Sequence, residues 1–306
     1  MPNRFRHDSE QGSVTVVVAA AMVAIIGLVA LGTDVGRMYI AQERMATVAD
    51  AAALSGAQFL PHDYDGAVAA VQTYLTRNGV DPQSVTFAVD EAASTLSVIV
   101  EDTVSYTFGR IFGRATGRVE ASAVARVASV SGYNNVVPLG VVQADWTLGD
   151  PVVLKASPGG GGQNSPGNYG ALSLGGRGAS AYEENLAEGY TGWVRVGDLI
   201  PTEPGNMAGP TQRALQARLS ANPDVTYGSV RKGSPRIMIV PVLESFDVNG
   251  RGEVRIVGFG AFFLESVGTH GNDRGTVYGR FLRYVVTGES GGNAADFAAY
   301  TIKLTH

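Results

Sequence analysis

The run from Gln11 to Thr33 contains no Asp, Glu, Lys or Arg, and Val14 to Leu31 is almost entirely Val, Ala, Ile, Leu, Met and Gly. At 1.5 Å per residue, roughly 20 such residues span the ~30 Å hydrocarbon layer of a bilayer as a helix. A transmembrane helix over 12–33, after a short tail at 1–11, is therefore the leading expectation. Two other readings compete with it. A cleaved secretory signal would use Arg4 and Arg6 as its charged start and Ala30-Leu31-Gly32 as its site, although the apolar run exceeds the usual 7–15 residues. A buried helix of a soluble protein is also compatible with the alanine content.

Orientation rests on a near tie. Arg4 and Arg6 precede the run and Arg37 and Arg44 follow it. The free N-terminal amine tips the balance toward a short cytoplasmic N-terminus with the bulk of the chain extracytoplasmic.

No turn residue stops the helix after Thr33. Apolar or small positions continue at Val35, Met38, Ala41, Met45, Val48, Ala52, Ser55 and Phe59, in steps of three and four, with Arg37, Glu43, Arg44 and Asp50 between them. This predicts an amphipathic helix over 34–60 that continues the anchor and breaks at Pro61. A second row, Ala46, Ala49, Ala53 and Gly56, is small enough for another backbone to approach closely. That row can pack on the chain's own next domain, or it can meet a membrane partner or a second copy through the 35–59 helix.

The string from Gly12 to Ala57 resembles the N-terminal segment of the Flp (tight-adherence) pilus-assembly TadE/TadG-like family: a Gly-small start, an apolar span, a DVGR element, an aromatic, and ADAAAL followed by a small-residue pair. The matching residues are Gly12, Ser13, Asp34, Val35, Gly36, Arg37, Tyr39, Ala49, Asp50, Ala51, Ala52, Ala53, Leu54, Gly56 and Ala57. The resemblance implies a membrane-anchored, non-enzymatic component or assembly factor of a type IV-like pilus, with the bilayer and other pilus-assembly membrane proteins as partners. It departs in two places. The position where processed pilin-like members carry glutamate is Val17, and the Asp-x-Ser-x-Ser of a von Willebrand A metal site does not occur.

Residues 61–131 read as a small α+β domain: a helix over Asp63–Gly79, strands at Ser84–Val89 and Thr95–Val100, an amphipathic piece from Tyr106 to Gly113, and a strand at Val119–Val130. Beyond residue 132 the chain becomes glycine-rich. Runs at Pro151–Lys155, Gly192–Val196, Arg236–Val242, Glu253–Leu264, Val277–Val286 and Ala299–Leu304 read as strands, with one clear helix at Pro210–Leu219. Asn249-Gly250, between Glu244–Val248 and Glu253–Leu264, predicts a two-residue hairpin turn. The expected class is α+β, with anchor helix, amphipathic helix, small sandwich and a mainly antiparallel β domain at 132–306. Three stretches there, GNYGALSLGG, GDLIPTEPGNMAGPT and VGFGAFFLE, resemble the C-terminal region of some TadE/TadG-like proteins of Gram-positive bacteria.

Chemistry-bearing motifs are sparse. Gly176, Gly178 and Ala181 fit GxGxxA with Asp198 about 20 residues on, but no repeated βαβ pattern surrounds them, so a glycine-rich loop is expected. The Ser157–Gly167 run lacks the Gly-Lys-Ser/Thr of a phosphate loop and reads as a surface loop. Asp247, Asn249 and Glu253 have calcium-loop spacing, yet Arg251 stands where an oxygen ligand belongs. His7, His62, His270 and His306 are scattered, Ser173 lacks the first glycine of a nucleophile elbow, and there is no cysteine. No catalytic, cofactor or metal residue is assigned. The net charge of −5, without a Lys/Arg cluster, offers no face for nucleic acid. The second functional reading is an exported, membrane-tethered enzyme or ligand-binding module, which would need a concave site in the C-terminal β domain.

Overall fold

The computed structural model describes residues 11–60, 63–144, 146–157, 169–248, 250–291 and 294–305. The chain divides into two compact units, 1–126 with 304–306, and 127–303.

Unit 1 is organised by one 47-residue helix, α1 (Gln11–Ala57). Among Val14–Leu31 every side chain but Ala30 is exposed, including Val14, Val23, Ile25, Leu28 and Val29. An apolar surface of this extent left uncovered by protein suits lipid, and α1 is the described helix long and apolar enough to cross a membrane. Its internal hydroxyls bond back to the helix: the Thr33 hydroxyl donates to the Val29 carbonyl at 2.9 Å, and Thr47 does the same to Glu43.

The second half of α1 packs on α2 (Tyr64–Arg77) and on an antiparallel sheet of β1 (Val85–Asp90), β2 (Thr95–Ser105) and β3 (Thr116–Val136). The Asp63 side chain caps α2 by accepting from the Gly66 N–H at 2.8 Å, and Ala67, Val71 and Leu75 form its buried face. The β2–β3 register runs without interruption from Thr95↔Arg126 to Ser105↔Thr116. Alternation then places Leu96, Val98, Val100 and Val104 of β2, and Val119, Ala121, Ala123 and Ala125 of β3, on the covered face. The last residues of the chain return to this unit, where the Thr305 hydroxyl donates to the Val124 carbonyl.

The buried stripe of α1 is not quite the expected one. It comprises Met45, Val48, Ala49, Ala52, Ala53, Gly56 and Ala57, so the row of small residues belongs to the packed face. At its membrane-proximal end the stripe includes the carboxylate of Asp34, while Val35 is 56% exposed. The expected amphipathic piece at Tyr106–Gly113 is a single 3₁₀ turn, Gly109–Phe112. Pro61, the predicted breaker, lies outside the described residues; regular helix ends at Ala57.

Unit 2 takes up the rest of β3 and adds β4 (Val141–Val142), β5 (Pro151–Lys155), α3 (Ala179–Glu188), β6 (Tyr190–Arg195), β7 (Leu199–Pro201), α4 (Ala208–Ala221), β8 (Ile237–Leu243), β9 (Glu253–Val267), β10 (Val277–Phe281), β11 (Tyr284–Val285), β12 (Glu289–Ser290) and β13 (Ala299–Thr305). β8, β9, β10 and β5 pair antiparallel in that order, and β6 and β12 pair antiparallel with β3. The parallel pairings of β3 and β4 with β8, and of β11 with β13, are brief. Two apolar clusters fill the unit. One gathers Ile239, Ile256, Phe259 and Phe263; the other gathers Leu139, Leu186, Leu215, Phe262 and Phe281. Arg236 is buried among them, its guanidinium donating to the carbonyls of Leu264, Glu265, Val225 and Asn222 at 2.6–3.2 Å and lying 4.8 Å from the Phe263 ring centre.

Three expectations for this unit need correction. Glu244–Val248 forms no strand: β8 ends at Leu243, opposite Ile256, and a longer connection replaces the two-residue turn, whose Asn249 lies outside the described residues. The run Val277–Val286 is divided at Leu282 and Arg283 into β10 and β11. A second helix, α3, occupies a stretch read as glycine-rich loop; Tyr182 and Leu186 bury its face, and the Tyr182 and Thr211 hydroxyls hydrogen-bond at 3.0 Å to join it to α4.

Candidate functional site

Two of the family-motif residues, Asp34 and Arg37, stand at the point where α1 leaves its lipid-like surface and meets the folded base of unit 1. Asp34 is the first charged side chain after the apolar run, and it turns inward. Its Oδ1 accepts from the Thr107 N–H at 2.8 Å, and its Oδ2 from the Phe108 and Gly109 N–H groups at 3.0 and 2.8 Å. Burial pushes this carboxyl up, but the three backbone donors and the nearby Arg37 outweigh it and hold the group below the ordinary carboxylate range. One turn further along, the Arg37 guanidinium donates to the Thr107 hydroxyl at 2.7 Å, and the Tyr106 hydroxyl donates to Met38 Sδ at 2.8 Å. Gln42 adds a bond from Nε2 to the Glu120 carbonyl at 2.6 Å. The DVGR element is thus a clamp on the Tyr106–Gly109 turn that closes β2 to β3.

At the other end of the motif, Ala49, Ala52, Ala53 and Gly56 are fully buried or nearly so, and Ala51 and Leu54 are half-buried beside them. A methyl on Gly56 would meet Leu96 Cδ2, Val71 Cγ2 at 2.7 Å and the Ala67 carbonyl at 2.9 Å. The small residues therefore bring α1 close to this chain's own α2 and β2, and a partner cannot use Ala49, Ala53 and Gly56 while they are so covered. Tyr39 is 65% exposed and takes no part in the clamp, Gly36 has open space around it, Asp50 is half-buried, and Gly12 is the second residue of α1. Beside the clamp lies a recess of about 230 Å³ lined by Leu31, Val35, Met38, Gly109, Phe112 and Arg114, with Asp34 and Tyr106 completing it.

The sequence pattern identified one side of this arrangement. Tyr106, Thr107 and Gly109 carried no signal of this contact, because their partners on α1 are some 70 residues away and only the fold brings them together.

The remaining motifs resolve into structure. The Gly178 N–H, which opens α3, donates to the buried carboxylate of Glu203 at 3.2 Å, so the place a phosphate would need at that helix start holds a protein anion. Asp198 accepts from the Arg195 N–H at 2.8 Å within a turn, and the Ser173 hydroxyl donates to the Gly176 carbonyl at 2.6 Å. The Ser157–Gly167 run falls, after Ser157 itself, outside the described residues, as do His7, His62 and His306. Among the described residues no group of three or more His, Asp or Glu is placed to hold a metal ion. Unit 2 does hold a concave site of about 520 Å³, lined chiefly by Tyr133, Asn134, Asn135, Thr191, Lys232 and Tyr284. Burial and the adjacent Tyr284 push the Tyr133 phenol up. No carboxylate or histidine lines this recess.

No curated protein and no solved structure matches the chain. A family model described as putative Flp pilus-assembly TadE/G-like matches residues 12–58, and that span covers the exposed apolar helix, the α1 side of the clamp and the small-residue row of α1. The long helix of this protein is thus similar, over residues 12–58, to the TadE/G-like segment of Flp pilus-assembly proteins.

Proposed function

We propose that the protein is a single-pass, non-enzymatic component or assembly factor of an Flp-type pilus, with a short cytoplasmic N-terminus and units 1 and 2 outside the membrane. In this reading 12–33 crosses the bilayer, 34–60 carries the helix into its base, 61–131 forms that base, and 132–306 is the presented domain. The supporting observation is the clamp itself. Within a segment matched to a pilus-assembly family, Asp34, Arg37 and the buried small residues of the motif tie the helix to a folded platform. Other pilus-assembly membrane proteins would meet the lipid-exposed half of α1 or its exposed positions Tyr39 and Ile40, since the small-residue row is occupied. The experiment is a clean deletion in the native host. Loss of surface Flp-type pili, restored by the intact gene, is expected; normal piliation with normal secretion of the pilin would sink the proposal.

The recess of unit 2 supports a second reading, a membrane-tethered ligand-binding module. Its amide, hydroxyl and phenol lining, together with Lys232, suits a polyhydroxylated ligand such as an envelope saccharide. Saturation-transfer NMR of the detergent-solubilised chain with envelope oligosaccharides tests this, and absence of transfer that Asn135→Ala can abolish argues against it.

A further inference from the structure

We propose that the Gly109–Gly113 turn is a second membrane contact, in which Ile111 and Phe112 enter the lipid interface beside α1 and Arg110 and Arg114 meet phospholipid phosphates. The inference rests on α1 spanning the bilayer and is independent of the pilus assignment.

Four observations carry it. The first is exposure: Ile111 is 78% and Phe112 80% exposed, whereas among the described residues the most exposed of the other large apolar side chains outside α1, Leu199, is 50% exposed. Two adjacent, large, unprotected apolar side chains at the tip of a short turn mark an interaction surface. Position is the second. Asp34 pulls this turn against α1 one residue beyond the uncharged run, and Phe112 shares the 230 Å³ recess with Leu31, which lies within that run. The recess thus continues the surface that α1 presents to lipid.

The third observation is the hydrogen bonding of the backbone. Thr107, Phe108 and Gly109 donate to Asp34, while the Ile111, Gly113 and Arg114 N–H groups donate to the carbonyls of Phe108, Arg110 and Gly109 at 3.0–3.1 Å. A turn with these six N–H groups satisfied by protein can enter a medium poor in water with few donors stranded. Charge is the fourth. From Tyr106 to Thr116 there is no acidic residue, and arginines sit on both sides of the apolar pair. Cations flanking an apolar wedge match the headgroup layer, where phosphates lie just outside the acyl chains. A protein partner would be expected to present acids to those arginines and to cover the wedge itself, which the test separates from lipid.

The chain contains no cysteine, so single introduced cysteines can each carry a nitroxide. In the full-length protein reconstituted into phospholipid vesicles, probes would be placed at Ile111→Cys, at Val23→Cys in the middle of the apolar run, and at Glu91→Cys. Glu91 lies in the β1–β2 turn, about 33 Å along β2 from the clamp at 3.3 Å per residue. Power saturation with oxygen and with a water-soluble nickel chelate reads depth. The expected result is a lipid-like preference for oxygen at 111, as at 23, and a preference for the chelate at 91; Phe112→Asp should then lower the oxygen preference at 111 severalfold. An aqueous reading at 111 beside a lipid-like reading at 23 overturns the inference and leaves the anchor intact. Shielding of 111 from both reagents also overturns it, in favour of a protein contact. An aqueous reading at 23 as well would bring down the anchor on which it rests.

Discussion

Gly36 and Gly56 both lie in α1 and both belong to the family motif, yet the structure gives them opposite sensitivities. Replacing a helical glycine by alanine gains about 1 kcal/mol through restricted backbone freedom in the unfolded chain. At Gly36 nothing lies within 4 Å of the added methyl, so Gly36→Ala should realise that gain. At Gly56 the methyl meets two side-chain tips and, at 2.9 Å, the Ala67 carbonyl, which can yield only if α2 backs away from α1. Overpacking of a buried seam costs about 1–3 kcal/mol, so the net for Gly56→Ala is a destabilisation of about 1 kcal/mol. Hydrogen exchange on the full chain in detergent resolves the two. Amides of α2 and β2 should exchange roughly fivefold faster in Gly56→Ala, and no faster than wild type in Gly36→Ala. If Gly56→Ala slowed exchange as much as Gly36→Ala, the glycine would not be serving close approach of α1 to its own base. The small-residue row would then have to be reassigned to an external helix.

Other perturbations follow from the same contacts. Asp34→Ala removes the acceptor of three backbone donors, so exchange at Thr107, Phe108 and Gly109 should rise while β1 is unaffected. Because the folded pKa of Asp34 is depressed, its contribution is present above the ordinary carboxylate range and disappears only as pH falls through the lowered value. Protection of the 107–109 amides that was already lost at the ordinary carboxylate range would refute the clamp. Lys155 is fully buried, and burial pushes it down to about 8 from 10.5. Between those values the unfolded chain holds a proton that the native chain does not, so unit 2 should gain about 2 kcal/mol from pH 7 to 9.5. Trp146 and Trp193 both lie in unit 2 and report this by fluorescence in urea. Lys155→Met should flatten the rise, and a wild-type profile already flat would contradict it. Arg236→Met strands several buried carbonyls and should lower the stability of unit 2 by about 3 kcal/mol by the same assay; a loss under 1 kcal/mol would mean that water replaces the guanidinium.

Much of unit 1 was legible because its signals are local and periodic. The uncharged run, the steps of three and four after it, and the alternation in β2 and β3 each reflect one face and one solvent. The inward turn of Asp34 was not legible for a physical reason: only the turn some 70 residues later, whose three N–H groups need an acceptor, makes an inward carboxylate favourable. The Tyr106–Gly113 stretch showed helical spacing but is too short, between glycines, to support more than one turn. In unit 2 the strands read correctly where β-branched residues ran together, as in β5 and β8. α3 was missed because Gly178 and Gly189 flank only ten residues and its face is just Tyr182 and Leu186. The Asn249-Gly250 dipeptide pointed to a tight turn, whereas pairing of Leu243 with Ile256 sets a longer connection than dipeptide preference suggests.

The clamp at Asp34 and the seam at Gly56 hold α1 at two places 22 residues apart, about 33 Å along its axis. A rod fastened at one point can swivel, but one fastened at two cannot. Any change in the tilt of the apolar half, such as a thinner or thicker bilayer imposes on a span of fixed length, must therefore rotate the whole of unit 1 with it. The base is geared to the membrane, and lipid thickness becomes a mechanical input to whatever that base carries.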